Sequence, residues 1–170
     1  MVSGATDSEI DAVVGLGSNL GDRRALLEQA LRELGSRARV LAVSSLYETL
    51  PIGPDQPLFL NAAARLTTRE RPERLLEQLL EIERAAGRVR VERWGPRTLD
   101  LDLLWIDGLV VDVPGLAVPH RELLGRPFAL MPLLDVAPLA TDPRTGVGYA
   151  EVLRGLDRSG VVRLPEPLDL

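Results

Sequence analysis

Apolar positions recur along this chain with two periods, three to four residues in some stretches and two in others, and their alternation predicts the order of elements. Ala12-Val13-Val14-Gly15-Leu16-Gly17 is an apolar, partly β-branched run that breaks into Ser18-Asn19-Leu20-Gly21-Asp22, which reads as strand, turn and helix N-cap. Leu26, Leu27, Ala30, Leu31 and Leu34 then follow at helical spacing, with Gly35 as the expected stop. Residues 40–47 predict a strand. Pro51, Pro54 and Pro57 exclude regular structure after Thr49, and residues 59–67 predict the next strand. Pro72 opens a second helix whose apolar face is Leu75, Leu76, Leu79, Leu80 and Ile82, ending at Gly87. Residues 88–95 are charged and have no apolar face, so they read as a surface loop. Residues 98–106 alternate, and Asp107-Gly108 predicts a hairpin into Leu109-Val110-Val111. A short strand at residues 116–118 and helical pieces at 127–134 and 149–156 complete the pattern.

Strand, helix, strand, strand, helix, strand is the split βαβ order of the ferredoxin-like class, an α+β sandwich extended here at its C-terminal end. A doubly wound sheet needs helices between nearly all strands, whereas the proline loop joins two strands directly. With 170 residues the expectation is a single domain, its core at about residues 12–156 and its ends, 1–10 and 157–170, loose. No apolar run approaches the roughly 20 residues of a membrane span, and the acidic N-terminal stretch is unlike a signal peptide. These features predict a soluble, cytoplasmic protein with no membrane partner.

Composition narrows the chemistry. All 20 basic residues are Arg, Cys is absent, and His120 is the one histidine. That excludes a Walker-A lysine, a Schiff base, a thiol nucleophile and a thiolate or His-rich metal centre. The net charge of −5 argues against a general nucleic-acid surface.

Within Arg97-Thr98-Leu99-Asp100-Leu101-Asp102-Leu103, side chains at i and i+2 share one strand face. Leu99, Leu101 and Leu103 facing the core would put Asp100 and Asp102 together on the other side. Two carboxylates roughly 5 Å apart repel by about 3 kcal/mol at an effective dielectric near 20, which calls for a cation. A hard, oxygen-seeking ion such as Mg²⁺, shared with substrate phosphates, suits the pair. The bland alternative is a solvated face with Arg97 as an ion-pair partner. Against it stands the density of Arg84, Arg88, Arg90, Arg93 and Arg97 around Trp94, since guanidinium groups grip phosphate oxygens bidentately. Gly15-x-Gly17 lacks the third glycine of a dinucleotide fingerprint and reads as a tight strand exit. His120 reads as a structural hydrogen-bonding group or a phosphate donor, and Phe59 and Phe128, on base rates, as core.

Gly15-Leu16-Gly17-Ser18-Asn19-Leu20-Gly21, Ser44-Ser45-Leu46-Tyr47-Glu48-Thr49, Gln56-Pro57-Leu58-Phe59-Leu60-Asn61-Ala62 and residues 93–102, followed by Val118-Pro119-His120 and Arg126-Pro127-Phe128, resemble in content and order the 6-hydroxymethyl-7,8-dihydropterin pyrophosphokinases of folate biosynthesis. The resemblance implies transfer of the β,γ-diphosphate of ATP to the pterin hydroxymethyl group, releasing AMP, with two Mg²⁺ ions bridged by Asp100 and Asp102. It further implies phosphate neutralisation by the catalytic Arg88 and Arg97, and ATP contacts from Glu83, His120 and Arg126. Arg90 and Trp94 would belong to a closing lid, and Thr49, Ile52, Phe59, Asn61 and Phe128 would hold the pterin. Phe59, Val91, Arg121 and a shorter arginine loop depart from the usual pattern. The implied partners are ATP and the pterin, bound by a monomer. Two other readings remain at this point: a Mg²⁺-dependent nucleotidyltransferase, and a ferredoxin-like module that binds a ligand without chemistry.

Overall fold

The computed structural model describes residues 5–51, 55–87 and 98–169. Its central strand, β1 (Ala5–Ser18), lies antiparallel between β4 (Phe59–Glu70) and β5 (Asp100–Ile106). The far edge of β4 is shared end to end by β2 (Arg39–Val43) and β3 (Tyr47–Thr49). The single strand expected at residues 40–47 is therefore two. Between them Ser44 takes over the pairing, its N–H donating to the Ala63 carbonyl at 2.9 Å and its hydroxyl accepting from the Ala63 N–H at 2.8 Å.

Helices α1 (Arg23–Arg37) and α2 (Pro72–Ala85) cover one face of the sheet. Asp22 caps α1 by accepting the Ala25 N–H at 3.1 Å, and Pro72 opens α2 where a missing N–H costs nothing. Gly35 does not end α1, which runs two residues further. Glycine inside a helix costs about 1 kcal/mol, and burial of Leu34 together with the 2.7 Å Arg37–Glu33 pair offsets it. Leu27, Leu31, Leu34, Leu75, Leu79 and Ile82 pack against Ala12, Val14, Leu16, Leu101 and Leu103 of the sheet.

The opposite face carries α3 (Pro127–Val136) and α4 (Tyr149–Arg154), packed on Val13, Ala63, Leu104 and Trp105. Asp107-Gly108 does make a tight turn, with Gly108 at φ +68°, but no hairpin with β5 follows. Instead β6 (Val111–Val113) pairs with β7 (Leu116–Val118), and the outer edge of β5 is met by the His120 N–H, which donates to the Leu104 carbonyl at 2.9 Å.

The expected loose C-terminal segment is not loose. Its β8 (Val161–Arg163) pairs with β3, Leu164 N–H donates to Leu46 O at 2.8 Å, and Leu168 is buried in the α1 core. Arg24 of α1 donates to the Pro167 carbonyl. At the other end β1 begins at Ala5, well before residue 12, because Ala5 already pairs with Glu70. Among the described residues no helix is long and apolar enough to cross a membrane. Leu79, wholly buried between α2 and the sheet, gives a test of this core. Leu79→Ala is expected to destabilise the fold by about 2–5 kcal/mol, read as a lower urea midpoint at unchanged slope.

Candidate active site

Strand register assembles the site. Across the sheet Tyr47 pairs with Asn61, Asn61 with Gly17 and Gly17 with Asp100, while the neighbouring row runs Ala63, Gly15, Asp102. Residues paired directly across antiparallel strands share a face, so Asn61, Asp100 and Asp102 all stand on the α3 side. Leu99, Leu101 and Leu103 are buried on the other side, as their alternation requires. A bulge at Leu104, between the Val14–Leu103 and Val13–Trp105 pairs, then puts Leu104 and Trp105 both under α3.

Between the carboxylates and Asn61 the sheet carries no side chain, because β1 has Gly15 and Gly17 there. A Cβ on Gly17 would lie 2.8 Å from Asn61 Oδ1, and one on Gly15 would lie 3.1 Å from Leu104 Cδ1. These glycines are not a strand exit. They sit within the paired length of β1 and leave a bare floor, and over it opens a cavity of about 530 Å³. Thr49, Phe59, Asn61, Asp100, Asp102, His120, Arg126 and Phe128 all line it, as does Arg121, which pairs with Asp112 at 3.1 Å. Ile52, Arg88, Arg90, Trp94 and Arg97 lie outside the described residues.

Local contacts orient several of these groups. Asn61 Nδ2 donates to Thr49 Oγ1 at 2.6 Å, which fixes the amide with Oδ1 above Gly17. The Arg126 guanidinium stacks 5.6 Å from the Phe128 ring centre and pairs with Glu122. His120 Nε2 is 4.0 Å from Asp102 Oδ1, and its Nδ1 accepts the Glu122 N–H at 3.2 Å. Burial and then the Arg126 charge hold this imidazole below its ordinary value near 6.5, outweighing the carboxylates. It is therefore neutral at pH 7, and with Nδ1 accepting, its proton sits on Nε2 and faces Asp102.

Glu83, expected at ATP, stands on α2. It is 3% exposed, does not line the cavity, and accepts the N–H of Leu101, the residue between the two aspartates, at 2.8 Å. That hydrogen bond makes it a brace for the strand. Gly15 and Gly17 were the missed functional positions, and their i, i+2 spacing was the available signal. Among the described residues no group of three or more His, Asp or Glu side chains could hold a metal ion, so the two aspartates are the oxygen donors available together.

The family model for 7,8-dihydro-6-hydroxymethylpterin-pyrophosphokinase matches residues 13–138. The chain belongs to this family. Relatives named 2-amino-4-hydroxy-6-hydroxymethyldihydropteridine pyrophosphokinase include that of Methylorubrum extorquens, 45% identical over 157 residues, covering 90% of this chain and 98% of the relative. That of Pseudomonas aeruginosa is 45% identical over 155 residues, covering 89% and 95%, and that of Synechocystis is 39% identical over 161 residues, covering 94% and 83%. A solved structure of Plasmodium falciparum HPPK-DHPS with pterin and p-hydroxybenzoate superposes with a TM-score of 0.70 at 14% identity, which establishes the shared fold. It covers 88% of this chain, which spans 42% of that longer pyrophosphokinase-containing chain. The ferredoxin-like expectation is met.

The single histidine makes the site's protonation measurable. In NMR titration, the His120 midpoint is expected below 6.5, with the ¹⁵N signature of an Nε2–H tautomer, and Arg126→Gln is expected to raise it. Because the unfolded chain takes up this proton first, the stability His120 contributes is present above about pH 6.5 and is lost as pH falls.

Proposed function

We propose that this chain transfers the β,γ-diphosphate of ATP to the hydroxymethyl oxygen of 6-hydroxymethyl-7,8-dihydropterin, releasing AMP, in folate biosynthesis. The observation that carries the reading is the pair of neighbouring cross-strand rows that set Asp100 and Asp102 on the same face as Asn61 over a side-chain-free floor, with Phe59, Phe128 and His120 lining the cavity. Family membership supplies the substrates, and the cavity supplies chemistry that suits them.

The acceptor is flat and aromatic with a polar edge. Phe59 from β4 and Phe128 from α3 offer two rings for its faces, and the bare glycine floor leaves room for its depth. Asn61, its Nδ2 occupied by Thr49, presents Oδ1 as an acceptor for a ring N–H. Thr49 lines the same wall, and by similarity to the family Ile52 would contribute to it.

The donor needs its phosphate charge offset. Asp100 and Asp102, hard oxygen ligands on one strand face, fit Mg²⁺ in a site completed by phosphate oxygens, and Glu83 fixes the backbone between them. Bound there as two ions, Mg²⁺ would offset the charge that builds on the transferring group. Neutral His120 can donate from Nε2 to a phosphate oxygen, and Arg126, over the Phe128 ring, brings its charge to the seam between the two substrates. Arg88 and Arg97 carry further phosphate charge, and Arg90 and Trp94 form the covering lid, by similarity to the family. In the reaction the hydroxymethyl oxygen bonds to Pβ, the Pβ–O bond to the α-phosphate breaks, AMP leaves, and the hydroxyl proton passes to solvent. The residues assigned here come from one chain, so a monomer suffices, and a folate-biosynthesis role suits the cytoplasm.

AMP release from ATP, followed with and without the pterin in Mg²⁺ and then in excess chelator, tests donor, acceptor and metal together. Pterin- and Mg²⁺-dependent AMP is expected, whereas pyrophosphate as product would indicate nucleotidyl transfer and binding without turnover a non-catalytic module. Asp102→Ala should lower turnover at least about 100-fold while changing unfolding free energy by about 1 kcal/mol or less. Equal losses of folding and activity would count against the metal role.

A further inference from the structure

Behind the pterin wall lies a polar cluster that does not line the cavity. Tyr47 of β3 is 3% exposed, and its hydroxyl donates to Asp135 Oδ2 of α3 at 2.8 Å. The Ser45 N–H donates to the same oxygen at 3.2 Å, and Arg163 of β8 donates to Ser45 Oγ through Nε and Nη2 at 3.0 and 2.7 Å. Burial first and Asp135 second push the Tyr47 hydroxyl far above its ordinary range, so it stays a donor.

Two facts give this cluster leverage on the site. Tyr47 stands in the same cross-strand row as Asn61, Gly17 and Asp100, and Thr49, two residues along, pairs with Phe59. Asp135 lies seven residues after Phe128, hence on about the same face of α3, roughly 10 Å along its axis. Between them Pro132 cannot donate the helical hydrogen bond to the Phe128 carbonyl, so the first turn of α3 depends more on what anchors the helix to the sheet. One wall ring therefore rides on β4 beside β3, the other rides on α3, and the Tyr47–Asp135 bond joins their supports.

We propose that Tyr47 and Asp135 are positioning residues that set the spacing between Phe59 and Phe128, and so the affinity for the flat acceptor, without touching it. The inference rests on the pterin reading above.

The test compares wild type, Tyr47→Phe, Asp135→Asn and Asp135→Ala. Binding of 6-hydroxymethylpterin is measured by calorimetry in Mg²⁺ with a non-hydrolysable ATP analogue, alongside KM for ATP and urea unfolding. Tyr47→Phe keeps the ring and is expected to weaken pterin binding about tenfold while KM for ATP changes less than twofold. Asp135→Asn, which keeps an oxygen acceptor for the Tyr47 hydroxyl, is expected to recover most of the affinity lost in Asp135→Ala. Should Tyr47→Phe fail to fold, the two Asp135 variants carry the same comparison. A variant set whose urea midpoints fall while pterin binding stays within twofold of wild type overturns the proposal and leaves the pterin reading intact. Equal weakening toward pterin and ATP also overturns it. Wild-type protein that binds no pterin overturns both.

Discussion

Everything in the site depends on the two-residue period of three antiparallel strands held in one register. Leu16, Leu101 and Leu103 must face α1 and α2 to bury their apolar surface, and a slip of one residue would expose all of them. That hydrophobic requirement, which has nothing to do with phosphate or pterin, forces Asp100 and Asp102 onto the other face and sets Asn61 beside them across Gly17. The core thus determines where the chemistry stands. Gly15 and Gly17 turn this arrangement from a packed second core into a cavity, since any larger residue there would meet Asn61 or Leu104.

Charge is distributed in the cavity with some economy. No third acidic side chain joins the two carboxylates among the described residues, so a bound cation would keep positions open to phosphate oxygens. His120, 4.0 Å from Asp102, is kept neutral by burial and by Arg126. Arg126 in turn is held by Glu122 and by the face of Phe128.

How much of this was legible in the sequence depended on whether one strand or several carried the information. The Asp100/Asp102 pair was readable because Leu99, Leu101 and Leu103 alternate with it on the same strand. The two amphipathic helices were readable for the same kind of reason, although Gly35 misled because burial of Leu34 outweighed a weak local preference. Phe59 and Phe128 face one cavity only through tertiary packing, and base rates pointed to the core; the family resemblance alone assigned them. Glu83 was assigned only through the family resemblance, as an ATP contact, and the packing of α2 beneath β5 reveals its bond to Leu101. Val161, Val162 and Arg163 were too short a run to announce a strand, and Asp107-Gly108 encoded a turn but not which strand would follow it into the sheet.

The placement of β8 has a consequence for how the molecule comes into being. Its residues follow Asp100, Asp102, His120 and Phe128 in the chain, yet they supply the outer partner of β3, and the Leu50 N–H donates to the Gly160 carbonyl. A nascent chain that already contains both aspartates, His120 and Phe128 still presents β3 as a raw edge. The side of the cavity built on β3 is therefore completed only after residues 161–163 have been made, so a product cut short before them would retain its carboxylate pair while Thr49 stood on an unpaired edge.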